Sequence, residues 1–213
     1  NNIALNMGFL DVEHIEVQRG PQGTAFGAAS TGGTLNVISK KPVLGEFFGE
    51  VQAGFGNYNY NQGQVAVNLP LGDDFAIRAV AQTTSHDGYA ESNGIPGGYE
   101  LDDANNDNSR VSAKWQASDD LSVVFIAQHY DAHNNGAALK AIDDPNSDPR
   151  VVSQDFPAKF DMTMDVTSAI VTWQLSGMTF KSITSYQNMD HAQSFDADRS
   201  TIDNFGGYDH VTT

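Results

Sequence analysis

The residues of this chain that have the types and spacing chemistry needs are few, and each set falls short of a site. The glycine-rich stretch from Gly20 to Gly33 has the make-up of a phosphate cradle, in which backbone N–H groups wrap an anion. It lacks both the GxxxxGK[ST] and GxGxxG spacings, and no Lys follows a Gly at the needed distance. His129 and His133 stand four apart, but His129 closes a strand-like run and His133 opens a loop, whereas i, i+4 metal geometry needs a helix. Asp143-Asp144-Pro145-Asn146-Ser147-Asp148 and Asp102-Asp103-Ala104-Asn105-Asn106-Asp107 carry the hard oxygen donors that Ca²⁺ takes. Neither has the central Gly and terminal Glu of an EF-hand loop. No GxSxG or HExxH motif occurs. Cysteine is absent, so there is no disulfide and no thiolate ligand. The expectation is no enzyme, no bound metal and no cofactor.

Composition narrows the classes further. The 213 residues carry a formal net charge of −16. That argues against nucleic acid, whose phosphates are bound by excess Lys and Arg. It argues equally against a basic membrane-surface protein. No run of about 18 apolar residues exists, so no transmembrane helix is expected. A membrane barrel is not excluded, because its strands need only about ten alternating residues. Asn1-Asn2 opens without Met or a basic leader, which reads as a piece of a longer protein.

The elements that would position any site are strands. Two short ones, around Ile15-Val17 and Leu35-Val37, flank the glycine-rich stretch. From Phe47 onward the apolar period is two. Val51, Ala53 and Phe55 alternate with polar or small residues, as do Val65, Val67, Leu69 and Leu71. So do Phe75 to Gln82, Val111 to Ala117, Leu121 to Gln128, Thr167 to Leu175, and Met178 to Tyr186. This predicts seven antiparallel strands. At about ten residues they exceed the usual five or six of soluble sheets.

Apart from the first hairpin, whose turn at 57–61 is short, the connections alternate in length. Residues 72–74, 118–120 and 176–177 are tight turns, whereas 87–108, 132–163 and 190–213 are long and polar. Of the 27 acidic residues, 18 fall in segments 87–108, 131–165 and 190–210. In an up-and-down barrel alternate connections lie at opposite ends, so one end has tight turns and the other long acidic loops, as in outer-membrane barrels. Phe47, Phe48, Tyr58, Tyr60, Tyr130, Trp173 and Tyr186 sit near strand ends, where interfacial girdles form. Seven strands do not close such a barrel, which in bacteria has an even count, so further strands are expected downstream.

Two phrases carry a family resemblance. Glu16-Val17-Gln18-Arg19-Gly20-Pro21-Gln22-Gly23-Thr24 and Thr31-Gly32-Gly33-Thr34-Leu35-Asn36-Val37-Ile38-Ser39-Lys40-Lys41-Pro42 resemble the end of the plug domain in TonB-dependent receptors of Gram-negative outer membranes. Phe26-Gly27 stands for a Tyr-Gly step, and Leu35 and Ser39 are mild departures. Phe55-Gly56-Asn57-Tyr58 looks like the family's first barrel hairpin. Asn68-Leu69-Pro70-Leu71, Arg78 and Asp87-Gly88-Tyr89 resemble its second and third strands. The resemblance implies an α+β plug ending at residue 42 and a 22-stranded membrane β-barrel beginning at 43. It further implies a monomer in the outer membrane that imports a scarce ligand, most often a ferric siderophore. Its partners would be the inner-membrane TonB complex, outer-membrane lipid and lipopolysaccharide. Carried over by position, Glu16, Arg19, Gly20, Pro21, Gly23, Gly27, Gly32 and Gly33 belong to the plug motif, with Arg19 pairing with barrel-wall carboxylates. The TonB box and the ligand-touching plug loops fall outside this sequence, and the ligand is not named by it. The competing reading is a non-transporting β-sheet binding or adhesion protein whose acidic loops bind Ca²⁺.

Overall fold

The computed structural model describes residues 9–20, 32–199 and 206–212. Its strands are β1 (Val12–Arg19), β2 (Gly33–Ser39), β3 (Phe48–Phe55), β4 (Asn61–Pro70), β5 (Phe75–His86), β6 (Ala90–Ser92) and β7 (Tyr99–Leu101), then β8 (Ala104–Gln116), β9 (Leu121–Asn135), β10 (Val151–Val152), β11 (Lys159–Leu175), β12 (Met178–Asp196) and β13 (Gly206–Thr212). Among the described residues there is no helix. The strands make an antiparallel hairpin of β1 and β2, a three-stranded sheet in the order β10-β6-β7, and an eight-stranded sheet in the order β13-β12-β11-β9-β8-β5-β4-β3.

The large sheet is up-and-down: each strand pairs antiparallel with its neighbours, interrupted in sequence only where β6, β7 and β10 leave it. Side chains alternate between its faces. The outward face carries Val51, Phe55, Val65, Val111, Trp115, Phe125, Trp173, Phe180 and Tyr186, all exposed. Water does not reward such a band, and an exposed apolar surface of this extent marks contact with a partner or lipid. The other, inner face is polar where it is most buried: Asn68, Arg78, Asn108, Arg110 and Ser112. The tight connections β4–β5, β8–β9 and β11–β12 lie at one end, and the other holds the short β3–β4 turn together with the long connections. At the tightest, Leu175 faces Met178 across two residues, and Gly177 takes a φ of 82°, which a residue without Cβ adopts at little cost.

The sheet has one more strand than the sequence pattern predicts, and its strands run further. β13 lies in the segment read as polar loop, β12 continues to Asp196, and β11 begins at Lys159. His133 therefore belongs to β9 rather than to a loop. The reason is physical. The backbone ladder needs no apolar side chains, so it continues into water, whereas alternation disappears once both faces turn polar. On the outward face of these extensions His129 pairs with Asp165 and His133 with Asp161, each at 2.8 Å. Two of the expected girdle aromatics instead point inward: Phe48 lies under Arg78 and Tyr130 is buried.

Residues 87–103 and 136–158 are not independent loops either. Parallel pairing of β10 with β6 joins them, and Leu101, Val152 and Ala158 form a small core between them. The Tyr99 hydroxyl lies 2.9 Å from both Asn135 Oδ1 and the Ala158 carbonyl.

Candidate functional site

The inner face holds the N-terminal segment. Lys40 N–H donates to the Asp11 carbonyl at 3.0 Å, so the two ends of the β1–β2 hairpin meet at one point. Asp11 takes a φ of 48°, a left-handed geometry that Asp tolerates better than most. Its buried carboxylate accepts from Arg78 Nε and Nη2, both at 2.7 Å. A planar guanidinium matches a carboxylate in this two-pronged way. Glu50 sits 3.6 Å from Arg78 and 2.7 Å from Lys40, and the Arg78 guanidinium stands 5.4 Å from the Phe48 ring centre. Arg110 donates to the Leu10 carbonyl, and the Leu10 side chain packs on Ala66 and Val80. Asn68 accepts from the Val43 N–H at 2.9 Å and donates to the Val43 and Glu46 carbonyls at 2.9 and 2.6 Å. The link between hairpin and sheet is thereby fixed on both sides.

Above this anchor, toward the long connections, lies a cavity of about 730 Å³, within the range of small-molecule sites. His86, Tyr89, Asp102, Asp103, Tyr130 and Phe160 are among the residues that line it. His86 stacks on Tyr89 with ring centres 4.4 Å apart, and Tyr89 meets Tyr58 edge-on at 5.0 Å. Burial pushes the Asp102 and Asp103 carboxyls above the ordinary carboxylate range, against hydrogen bonds from the Ala138 and Asn135 backbones that pull them down. The cavity therefore offers stacking surfaces and hydrogen-bonding groups.

The residues singled out in the sequence are distributed as follows. Glu16 lies on the exposed side of β1, where Asn36 donates to it at 3.1 Å and His14 stands at 3.3 Å. These two contacts, Asn36 first, hold its carboxyl below the usual range. Arg19 ends β1 opposite Gly33. Gly33 has a φ of 140°, and a Cβ there would sit 2.6 Å from the Gln18 carbonyl oxygen. Gly20 has a φ of 83°, and a Cβ at Gly20 or Gly32 would meet nothing within 4 Å. Pro21, Gly23 and Gly27 lie outside the described residues.

The metal candidates do not converge. His129 and His133 face the same way on β9, but four residues of strand separate them by roughly 13 Å, and each has its own carboxylate. Asp103 Oδ1 accepts from the Asn135 N–H at 2.5 Å, whereas Asp107 lies on the outward face of β8. In the 143–148 segment Asp144, Asn146 and Asp148 each accept a backbone N–H two residues on, at 2.8, 2.9 and 2.9 Å. The Lys140 ammonium donates to the Asp148 and Val151 carbonyls at 2.7 and 2.6 Å and lies 3.7 Å from Asp144. A side-chain cation thus already stands where those oxygens gather.

Sequence reasoning missed Asp11, Arg110 and Glu50, and took Lys40 and Arg78 only as parts of the resemblance. A usable signal was there: Arg78 and Arg110 occupy positions in apolar-alternating strands that face inward, where a cation needs a partner.

No protein-family model matches the chain. Over 74 residues, 35% of the chain, it is 36% identical to the ferric-pyoverdine 358 receptor of Pseudomonas putida. Over 68 residues, 32% of the chain, it is 34% identical to the catecholate siderophore receptor Fiu of Escherichia coli K12. Each match spans only 9% of the receptor's own length. Among solved structures, the ferric yersiniabactin uptake receptor FyuA from Yersinia pestis superposes with a TM-score of 0.79 at 18% identity, over 88% of this chain and 30% of that one. The open form of Fiu gives a TM-score of 0.67 at 16% identity, over 96% of this chain and 34% of that one. These superpositions establish the fold: the sheet and hairpin correspond to part of a barrel and plug. The proteins to which the chain is similar are TonB-dependent siderophore receptors of the outer membrane, transport proteins rather than enzymes.

Proposed function

We propose that this chain is part of an outer-membrane TonB-dependent receptor that imports a ferric siderophore. Residues 1–42 are the end of the plug and 43–213 the first strands of the barrel. The outward apolar band meets lipid, and the acidic strand ends beyond it meet lipopolysaccharide. The receptor acts as a monomer, and the TonB complex supplies the pull. Glu16, Arg19 and the glycines of residues 20–33 shape the part of the plug that is handed over to the barrel.

The observation that carries this reading is the lodging of Leu10 and Asp11 against Arg78 and Arg110. A polar inner face grips a separate chain segment, while the opposite face of the same sheet is bare and apolar. A sandwich or adhesin would bury that apolar face. Its expected Ca²⁺ loop is also disfavoured, since Lys140 stands among the oxygens of residues 144–151.

The test uses the full-length protein in an iron-starved Gram-negative host deleted for its own siderophore receptors. Expected are recovery in the outer-membrane fraction and uptake of radiolabelled ferric siderophore that disappears when TonB is deleted. Arg19→Ala should lower energised uptake more than ligand binding. Recovery in the soluble fraction, or uptake indifferent to TonB, would overturn the reading.

A further inference from the structure

On the inner face of β11 and β12 four side chains form a two-by-two block. Met162 lies opposite His191, and Met164 opposite Met189. Residues two apart on a strand share a face, and directly opposed Cβ atoms in an antiparallel pair lie about 4.5–5.5 Å apart. Met162, Met164 and His191 are only 1%, 2% and 2% exposed. Met189 packs against the cluster that contains Met162, Met164 and Tyr130. Neither ring nitrogen of His191 has a hydrogen-bond partner among the described residues. Its nearest ring neighbour is Phe160, with centres 5.0 Å apart.

Buried polar atoms are seldom left unmatched, and an imidazole with both nitrogens bare calls for an explanation. A packed apolar patch would be served better by Leu or Phe than by His. What the block supplies is three thioether sulfurs and one imidazole nitrogen, all neutral and all soft or borderline donors. It holds no carboxylate. Such a set favours Cu(I) over Zn²⁺, Ca²⁺ or Mg²⁺. A monovalent ion also brings less uncompensated charge into a buried place than a divalent one. Phe160 packs against this cluster and also lines the 730 Å³ cavity, as does Tyr130, so the block lies directly beside that cavity.

We propose that Met162, Met164, Met189 and His191 form a Cu(I) site on the inner wall. This goes beyond the siderophore reading and does not depend on it.

The experiment is an anaerobic competition in detergent between the full-length protein and the chromophoric Cu(I) chelator bicinchoninate, with ascorbate present. The wild type should withdraw one equivalent of Cu(I). Met162→Leu, Met189→Leu and His191→Phe should each lose it, while Zn²⁺ should not compete. Met→Leu conserves volume and is well tolerated in cores, and heat-modifiable migration on gels checks that each variant folds. X-ray absorption of the Cu(I)-loaded wild type needs no variant and should show mainly sulfur scatterers with nitrogen. Failure of the wild type to compete, retention of copper by the Met→Leu variants, or a shell of nitrogen and oxygen alone would each overturn the assignment and leave the block as packed core.

Discussion

Asp11 and Arg78, 67 residues apart in the chain, meet in a two-pronged ion pair with both contacts at 2.7 Å and both side chains 2% exposed. Breaking a buried pair from one side leaves an uncompensated charge and costs about 3–5 kcal/mol, whereas replacing both partners with apolar groups costs far less. Asp11→Asn should therefore loosen the N-terminal segment, toward the lower end of that range because Glu50 remains 3.6 Å from Arg78. Faster hydrogen exchange at the Lys40 and Val43 amides is the expected readout. Asp11→Leu combined with Arg78→Met should recover most of the protection. Equal exchange in the single and double variants would show that charge is not what holds the segment.

Gly33 should not tolerate a side chain. With a φ of 140°, and with a methyl at this position only 2.6 Å from the Gln18 carbonyl oxygen, Gly33→Ala should cost the hairpin about 1–3 kcal/mol. Gly32→Ala is the matched control, since nothing lies within 4 Å there. Exchange protection along the β1–β2 ladder in the full-length protein measures both, and comparable effects at the two positions would contradict the argument.

The outward face should reject charge and the inner face accept it. Val111 stands outward on β8, half exposed, and Val111→Arg should cost about 2–4 kcal/mol of folding free energy in a bilayer. Thr172→Glu on the inner face of β11, directly opposite Lys181 of β12, should cost well under about 1 kcal/mol, since an inward position of a barrel tolerates charge and an opposite charge faces it. Urea titration of the full-length protein in liposomes reads both. An insensitive Val111 would mean that this face does not meet lipid.

The joined loops should tighten on acidification. Burial raises the Asp102 and Asp103 carboxyls above their unfolded values, so the folded form binds protons more readily. Its stability contribution is complete below the ordinary Asp value and is lost as pH rises through the raised one. The Glu91 and Asn93 amides, bonded to the Arg150 and Val152 carbonyls, should gain protection, after correction for intrinsic rates, as pH falls from neutral through that window. Asp102→Asn should raise protection at neutral pH and flatten the dependence. A pH-independent wild type would refute the assignment.

Much of this architecture was legible before folding was considered. Alternation at Val51 to Phe55, Val65 to Leu71 and Thr167 to Leu175 marks strands because one face of each must differ from the other. The alternation of short and long connections orders them up-and-down, and the phrases at 16–24 and 31–42 carry the resemblance to TonB-dependent receptors. The strand extensions were invisible because polar residues on both faces leave no period to read. β6, β7 and β10 were invisible because two- and three-residue strands depend on partners as many as 60 residues away.

By itself, then, the sequence determined the apolar-alternating parts of seven strands, which face of each is apolar there, and where the tight turns at 72–74, 118–120 and 176–177 fall, because those depend on local period and on residues such as Gly177. Only the tertiary structure decided that Asp11 meets Arg78, that Lys140 stands among the oxygens of its own loop, and that His191 lies unmatched beside three thioethers. Those relations are set by strand register and by long-range closure, and a side chain's partner across a sheet is not written in its neighbours along the chain.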